Sequence, residues 1–183
     1  MAHHGAVLDM DLVSSFLGDF APLIQIFLPD LTIGVEGKND YQSIYATVCR
    51  ELAHACHFSQ VDTDYWNSYI LYVLGSYISS GGMTYGDGTG VNAGYCEVSE
   101  TWAYYLSSKM WHDRYGGDYP AFGTAFWFYP QIFRYIEQMG IECWEIFSLL
   151  DSSVTSRDDL KKALMAYRPD MSDEIELIFN RYI

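Results

Sequence analysis

The sequence predicts a mainly α, α+β domain with one small sheet. Three observations lead there. Apolar residues recur at helical spacing over residues 41–58, 63–78 and 98–111. Only one short run, Leu31–Glu36 (LTIGVE), has strand character; it is entered through Pro29-Asp30 and left through Gly37-Lys38-Asn39-Asp40. The 183 residues, half of them hydrophobic, suffice for one core. No linker, repeat or low-complexity tract divides the chain, so residues 1–183 read as a single domain.

Taken in order, residues 8–18 form a short amphipathic segment. Asp40 is placed to cap a helix over Tyr41–Phe58, because a short acidic side chain there can accept from the first free amides. A second helix is expected over Thr63–Ile78. The stretch SSGGMTYGDGTGVNAG then places six glycines between residues 80 and 94 and reads as a loop. It is not a phosphate loop, since no strand precedes it and no G-K-[ST] closes it. A third helix follows over Val98–Trp111, then an aromatic-rich helix near 121–139 and a short one at 142–150. Two more helices start at Asp158 and Ser172. The block AFWFYPQIF reads first as core, with Pro130 ending or kinking its helix, and second as a cleft wall.

The net charge of −14, with 10 Lys and Arg scattered along the chain, argues against nucleic acid as a partner. No apolar run approaches the roughly 20 residues that span a bilayer, so no transmembrane segment is expected. The start, MAHHGAVLDMDLV, lacks the basic region and long apolar stretch of a signal peptide. Cys49, Cys56, Cys96 and Cys143 form no C-x-x-C pair and read as small hydrophobes rather than zinc-ribbon ligands. His112, at a helix end, reads as a surface residue.

Chemistry concentrates in CRELAHACHF, residues 49–58. On a helix of about 100° per residue, Arg50, Glu51, His54 and His57 share one face of roughly 120°. Ile44, Val48, Leu52, Ala55 and Cys56 fall largely off that face and are expected to pack. From spacing alone, such a stripe is most simply a solvated polar face with weak i, i+4 pairs. E-L-A-H also matches half of a di-iron site, but EVSE, the other acidic segment, brings no His. In H-E-x-x-H, two His at i, i+4 hold one zinc and the intervening Glu takes a proton from bound water. Here the first position is Arg50. A third ligand is available from CEVSETWAYYL, residues 96–106, in Glu97 or Glu100.

RELAHACH, followed by Tyr65-Trp66, a glycine-rich loop and VSETWAYYL, resembles the gluzincin-type zinc metallopeptidases that bacteria anchor or secrete, which carry HELAHxSH and a later Glu motif. The resemblance covers most of residues 29–183, though only the two central motifs are specific. It implies a zincin-like fold and an extracytoplasmic or cell-surface location, with this chain as the catalytic-type domain of a longer secreted protein. It also implies zinc as cofactor and peptide-bond hydrolysis. Glu51 then matches the general base, His54 the second His ligand and Glu100 the third ligand, with Glu97 as the neighbouring acid behind it.

Arg50 breaks the pattern, because a guanidinium offers a metal no lone pair. The resemblance therefore implies a degenerate zinc site with weak or no hydrolysis. Arg50 would stand in for the metal's charge by pairing with Glu51 or Glu100. His57, three residues after His54, is the one residue that could rebuild a three-ligand set. A different class of function is also open: a non-catalytic module that keeps the cleft and binds a peptide or protein. A purely structural helical domain is the third reading.

Overall fold

The computed structural model describes residues 40–182. Seven helices succeed one another there: α1 (Tyr41–Gln60), α2 (Thr63–Ser80), α3 (Ala93–Tyr115), α4 (Gln131–Gln138), α5 (Cys143–Ser148), α6 (Arg157–Tyr167) and α7 (Ser172–Phe179). Short 3₁₀ turns occupy Pro169–Met171 and Asn180–Tyr182. The expected small sheet is corrected: among the described residues there is no strand at all, and the fold is all helical. The expectation rested on Leu31–Glu36, which lies outside the described residues, as do the 8–18 segment and His3 and His4. No later run combines strand composition with turn signals at both ends. No helix among the described residues is long and apolar enough to cross a membrane.

The helix starts follow capping chemistry. Asp40 accepts from the Ser43 amide at 2.8 Å, and Asp62 accepts from the Tyr65 amide at 2.8 Å. Each such cap satisfies an amide that the first helical turn leaves without a partner. α3 begins five residues before the expected Val98, behind Asn92 in a left-handed conformation at φ 68°. Gly94 in its first turn is required by packing, because a Cβ there would collide with the Thr155 carbonyl. The expected helix over 121–139 shrinks to Gln131–Gln138, with residues 121–130 in turns. Pro130 stands at its cap, and the steric restriction a proline places on the preceding residue keeps the helix from running back through it.

α3 is the central rod, and α1 lies along it. As α1 advances from Ala46 to His57, its partners on α3 recede from Ser107 to Ser99. Ser107 Oγ donates to the Ala46 carbonyl at 2.7 Å, and Ser99 Oγ lies 3.3 Å from His57 Nδ1. The two helices are therefore antiparallel. The expected packing face of α1 is also corrected. Its buried residues are Ala46, Cys49, Ala53, His54 and His57, while Leu52 is 45% exposed and Cys56 is exposed. Small side chains let the helices approach, and the stripe carrying Arg50 and His54 turns inward with them.

Two apolar clusters flank α3. One joins Val98, Trp102 and Tyr105 to α4–α7 through Phe133, Ile146, Leu164 and Ile175. The other gathers Trp66, Tyr69, Ile70 and Val73 of α2 around Cys96 and Phe128. The polar stripe of α1 meets α3 near the boundary between them.

Candidate functional site

The two segments singled out in the sequence come together across the α1–α3 interface. His54 Nε2 lies 3.4 Å from Glu100 Oε1. Glu100 is 1% exposed, an extreme burial for a carboxylate, and Tyr69 of α2 donates to the same oxygen at 2.6 Å. Burial alone would raise the Glu100 pKa. The His54 imidazole beside it, helped by the Arg50 guanidinium and the Tyr69 hydroxyl, outweighs that and holds it down at about 2. Glu100 is thus a buried anion at neutral pH. Burial and the Glu100 charge together push the Tyr69 phenol well above its ordinary range, so it stays a donor.

Arg50 sits one helical turn before His54 and fills the mouth of the cluster. Its Nε and Nη2 both donate to Glu51 Oε1, at 3.2 and 2.7 Å. Its Nη1 donates to the Tyr104 hydroxyl at 3.0 Å and reaches the Tyr85 hydroxyl at 3.5 Å. Burial works against its charge, yet the Glu100 anion and the surrounding oxygens raise its pKa beyond the ordinary value. Arg50 and Glu51 remain about a quarter exposed, so the pair opens to solvent while His54 and Glu100 do not.

The glycine-rich stretch between α2 and α3 delivers Tyr85 to this mouth. The Tyr85 carbonyl accepts from the Tyr72 hydroxyl at 3.0 Å and from Trp127 Nε1 at 2.9 Å, which pins the loop. Its ring packs edge-on against Phe126 and Phe128, each with centroids 5.0 Å away. Gly123 has φ +78°, and a Cβ there would meet Tyr104 Cγ at 2.5 Å, so only glycine lets this segment close on Tyr104. The block AFWFYPQIF is thus core at Phe128 and site wall at Phe126, which is 46% exposed.

The remaining candidates lie elsewhere. His57 is fully buried beside Ser99, with its ring edge-on to Tyr65 at 5.2 Å. Burial, then the neighbouring His54, push its pKa down to about 3, so it is a neutral core histidine at pH 7. Glu97 faces Arg157 at the start of α6, 3.4 Å from Nε, and burial raises its pKa. His112, which the sequence placed on the surface, is half-buried and stacks on Tyr119 at 4.1 Å.

The donors present do not fit a zinc ion. Glu100 Oε2 and His54 Nδ1 are buried without a hydrogen-bond partner among the described residues, but these are only two ligand side chains. Catalytic zinc takes three protein ligands. Glu51 is engaged by Arg50, and His57 is held against Ser99. Among the described residues no group of three His, Cys, Asp or Glu side chains is placed to hold a metal ion. Sequence reasoning missed Tyr69, Tyr85 and Tyr104. The one available signal was chemical: a buried carboxylate and a guanidinium need neutral hydrogen-bond partners, and 16 tyrosines supply them.

Compared with known proteins, the chain matches no family model, no curated sequence and no solved structure.

Proposed function

We propose that this chain is a non-catalytic module that binds a peptide or protein segment at the Arg50–Glu51 mouth, with Arg50 supplying the positive charge that a metal supplies in gluzincin-type peptidases. The observation that carries the reading is the contact between Arg50 and Glu51. The carboxylate that would take a proton from water is instead the counter-ion of an arginine, with both guanidinium contacts on one oxygen. A general base so occupied has a weakened hold on any water proton.

Two further features support binding over hydrolysis. The His54–Glu100–Tyr69 group is buried, and the Tyr69 hydroxyl holds the Glu100 carboxylate at 2.6 Å, so it serves as a fixed floor. The mouth above it combines a charged pair with the exposed Phe126 ring and the Tyr85 and Tyr104 hydroxyls, a mixture suited to polypeptide side chains.

Metal content per chain is the test, measured by elemental analysis of protein purified without chelator, beside an unfractionated peptide-hydrolysis assay. The expected result is no stoichiometric metal, no hydrolysis, and unchanged far-UV circular dichroism in chelator. About one zinc per chain, with hydrolysis abolished by Glu51→Gln, would overturn the reading. The Arg50→His variant, measured in parallel, is expected to gain metal affinity over the wild type, because it adds a third nitrogen or oxygen donor to His54 and Glu100.

A further inference from the structure

α1 is apolar on two opposite sides. Ala46, Cys49, Ala53 and His57 are buried on the side that packs along α3. At about 100° per residue, Ile44, Val48 and Ala55 fall within about 40° of one another on the far side. Tyr41 and Leu52 stand at the edge of this outer stripe and are exposed, and Leu52 keeps a solvated side chain. Ile44, Val48 and Ala55 are half-buried, yet among the described residues they belong to neither apolar cluster. The ring contacts that α2 makes with α1 fall on His54, His57 and Phe58, off the stripe. A helix with one partner carries polar residues on its far side, whereas a helix apolar on both sides is one covered on both.

We propose that residues 7–28, VLDMDLVSSFLGDFAPLIQIFL, which precede the described residues, dock on the outer stripe of α1 within their own chain. Their composition fits an apolar partner. They contain no Lys or Arg, Leu8, Leu12 and Phe16 recur at a spacing of four, and Leu23–Leu28 reads LIQIFL. Their tether also fits. The twelve residues 29–40 connect Leu28 to the start of α1. At up to about 3.3 Å each they reach about 40 Å. The 20 residues of α1 are about 30 Å long at about 1.5 Å per residue, so the whole stripe is within range. Such a tether holds the segment at an effective concentration on the order of millimolar.

Charge disfavours the other occupants. A second copy would bring a further −14 to the contact. An anionic membrane surface would find no free cation on α1, whose one Lys or Arg is Arg50, already bound to Glu51.

The test is photo-crosslinking of the full chain with p-benzoylphenylalanine placed at position 52, beside the stripe. Equal amounts of ¹⁵N-labelled and unlabelled chain are mixed at low micromolar concentration, and the products are mapped by mass spectrometry. The expected products join position 52 to residues 7–28 within one chain, light to light and heavy to heavy. Val48→Asp on the stripe, and separately Leu12→Asp combined with Phe16→Asp on the segment, should each lower that yield at least fivefold. Leu71→Asp, at an exposed position on α2, should leave it unchanged. Because the segment variant leaves residues 40–182 intact, it tests the contact even where Val48→Asp fails to fold. Products that are chiefly heavy–light would make a second copy the occupant and overturn the proposal. Products confined to residues 40–182 overturn it as well, as does a yield unchanged in the segment variant.

Discussion

His54 on α1 and Glu100 on α3 face each other at 3.4 Å across an interface to which α1 also brings the small side chains of Ala46, Cys49 and Ala53. The pair is almost fully buried, and Glu100 keeps its negative charge because Tyr69, His54 and Arg50 surround it. A buried charge held by several partners is expensive to disturb through any one of them. The site is therefore part of the stability of the α1–α2–α3 unit as well as its candidate binding floor.

Removing one partner from Glu100 measures that dependence. Tyr69→Phe deletes a 2.6 Å hydrogen bond to a carboxylate and should cost about 1.5–3 kcal/mol of unfolding free energy in urea. Glu100→Gln keeps an acceptor for Tyr69 but removes the buried anion that supports the Arg50 charge, and should cost about 3 kcal/mol or more. The double variant should cost less than the two combined, because the Tyr69 contact with an anion can be lost only once. Strict additivity would show that the two side chains do not share an interaction.

Two buried groups, His57 and Glu100, contribute to the acid side of the stability profile. The His57 pKa is depressed from 6.5 to about 3, so below pH 6.5 the unfolded chain takes up a proton that the folded chain refuses. Stability is therefore full above that pH and falls as pH drops, by about 1.4 kcal/mol per unit within the window. Glu100 has the same sign over a lower range: depressed from 4.5 to about 2, it loses its contribution between those values. Unfolding free energies from urea titrations at about pH 7 and about pH 5 should differ by about 2 kcal/mol in the wild type. His57→Leu should flatten that difference while retaining the loss below about pH 4.5, the ordinary value for Glu100. An undiminished slope in His57→Leu would assign the upper limb to another group.

Much of this arrangement is written locally. The first two helices are legible because periodic apolar runs mark them; Asp40 caps the first as expected, and Asp62, which the sequence reading did not single out, caps the second. His54 and Glu100 stand out because two short motifs mark them. The orientation of α1 was not legible, since hydrophobicity ranks Leu52 above Ala53, whereas helix approach depends on small volume at Ala46, Cys49 and Ala53. The tyrosines were not legible either. Tyr69, Tyr85 and Tyr104 come from two helices and a loop, and only the fold shows that they converge on one carboxylate and one guanidinium. The small sheet was inferred from a single run, LTIGVE, and nothing among residues 40–182 pairs as a strand.

That orientation of α1 is open to a direct contrast. Ala53 is fully buried between α1 and α3, and Leu52 beside it is 45% exposed. Ala53→Leu adds three carbons where the helices touch, so it must separate α1 from α3 or force strained rotamers, at about 1–3 kcal/mol. Since His54 and Arg50 ride on the same helix, the change should also loosen the ring contacts around them and reduce near-UV circular dichroism from Trp66 and Tyr69. Leu52→Ala removes a largely solvated side chain and improves helix propensity, so it should stay within about 0.5 kcal/mol of the wild type. If the apolar face of α1 were instead the one containing Ile44, Val48 and Leu52, the order would invert: Leu52→Ala would leave a cavity worth about 2–5 kcal/mol and Ala53→Leu would be tolerated.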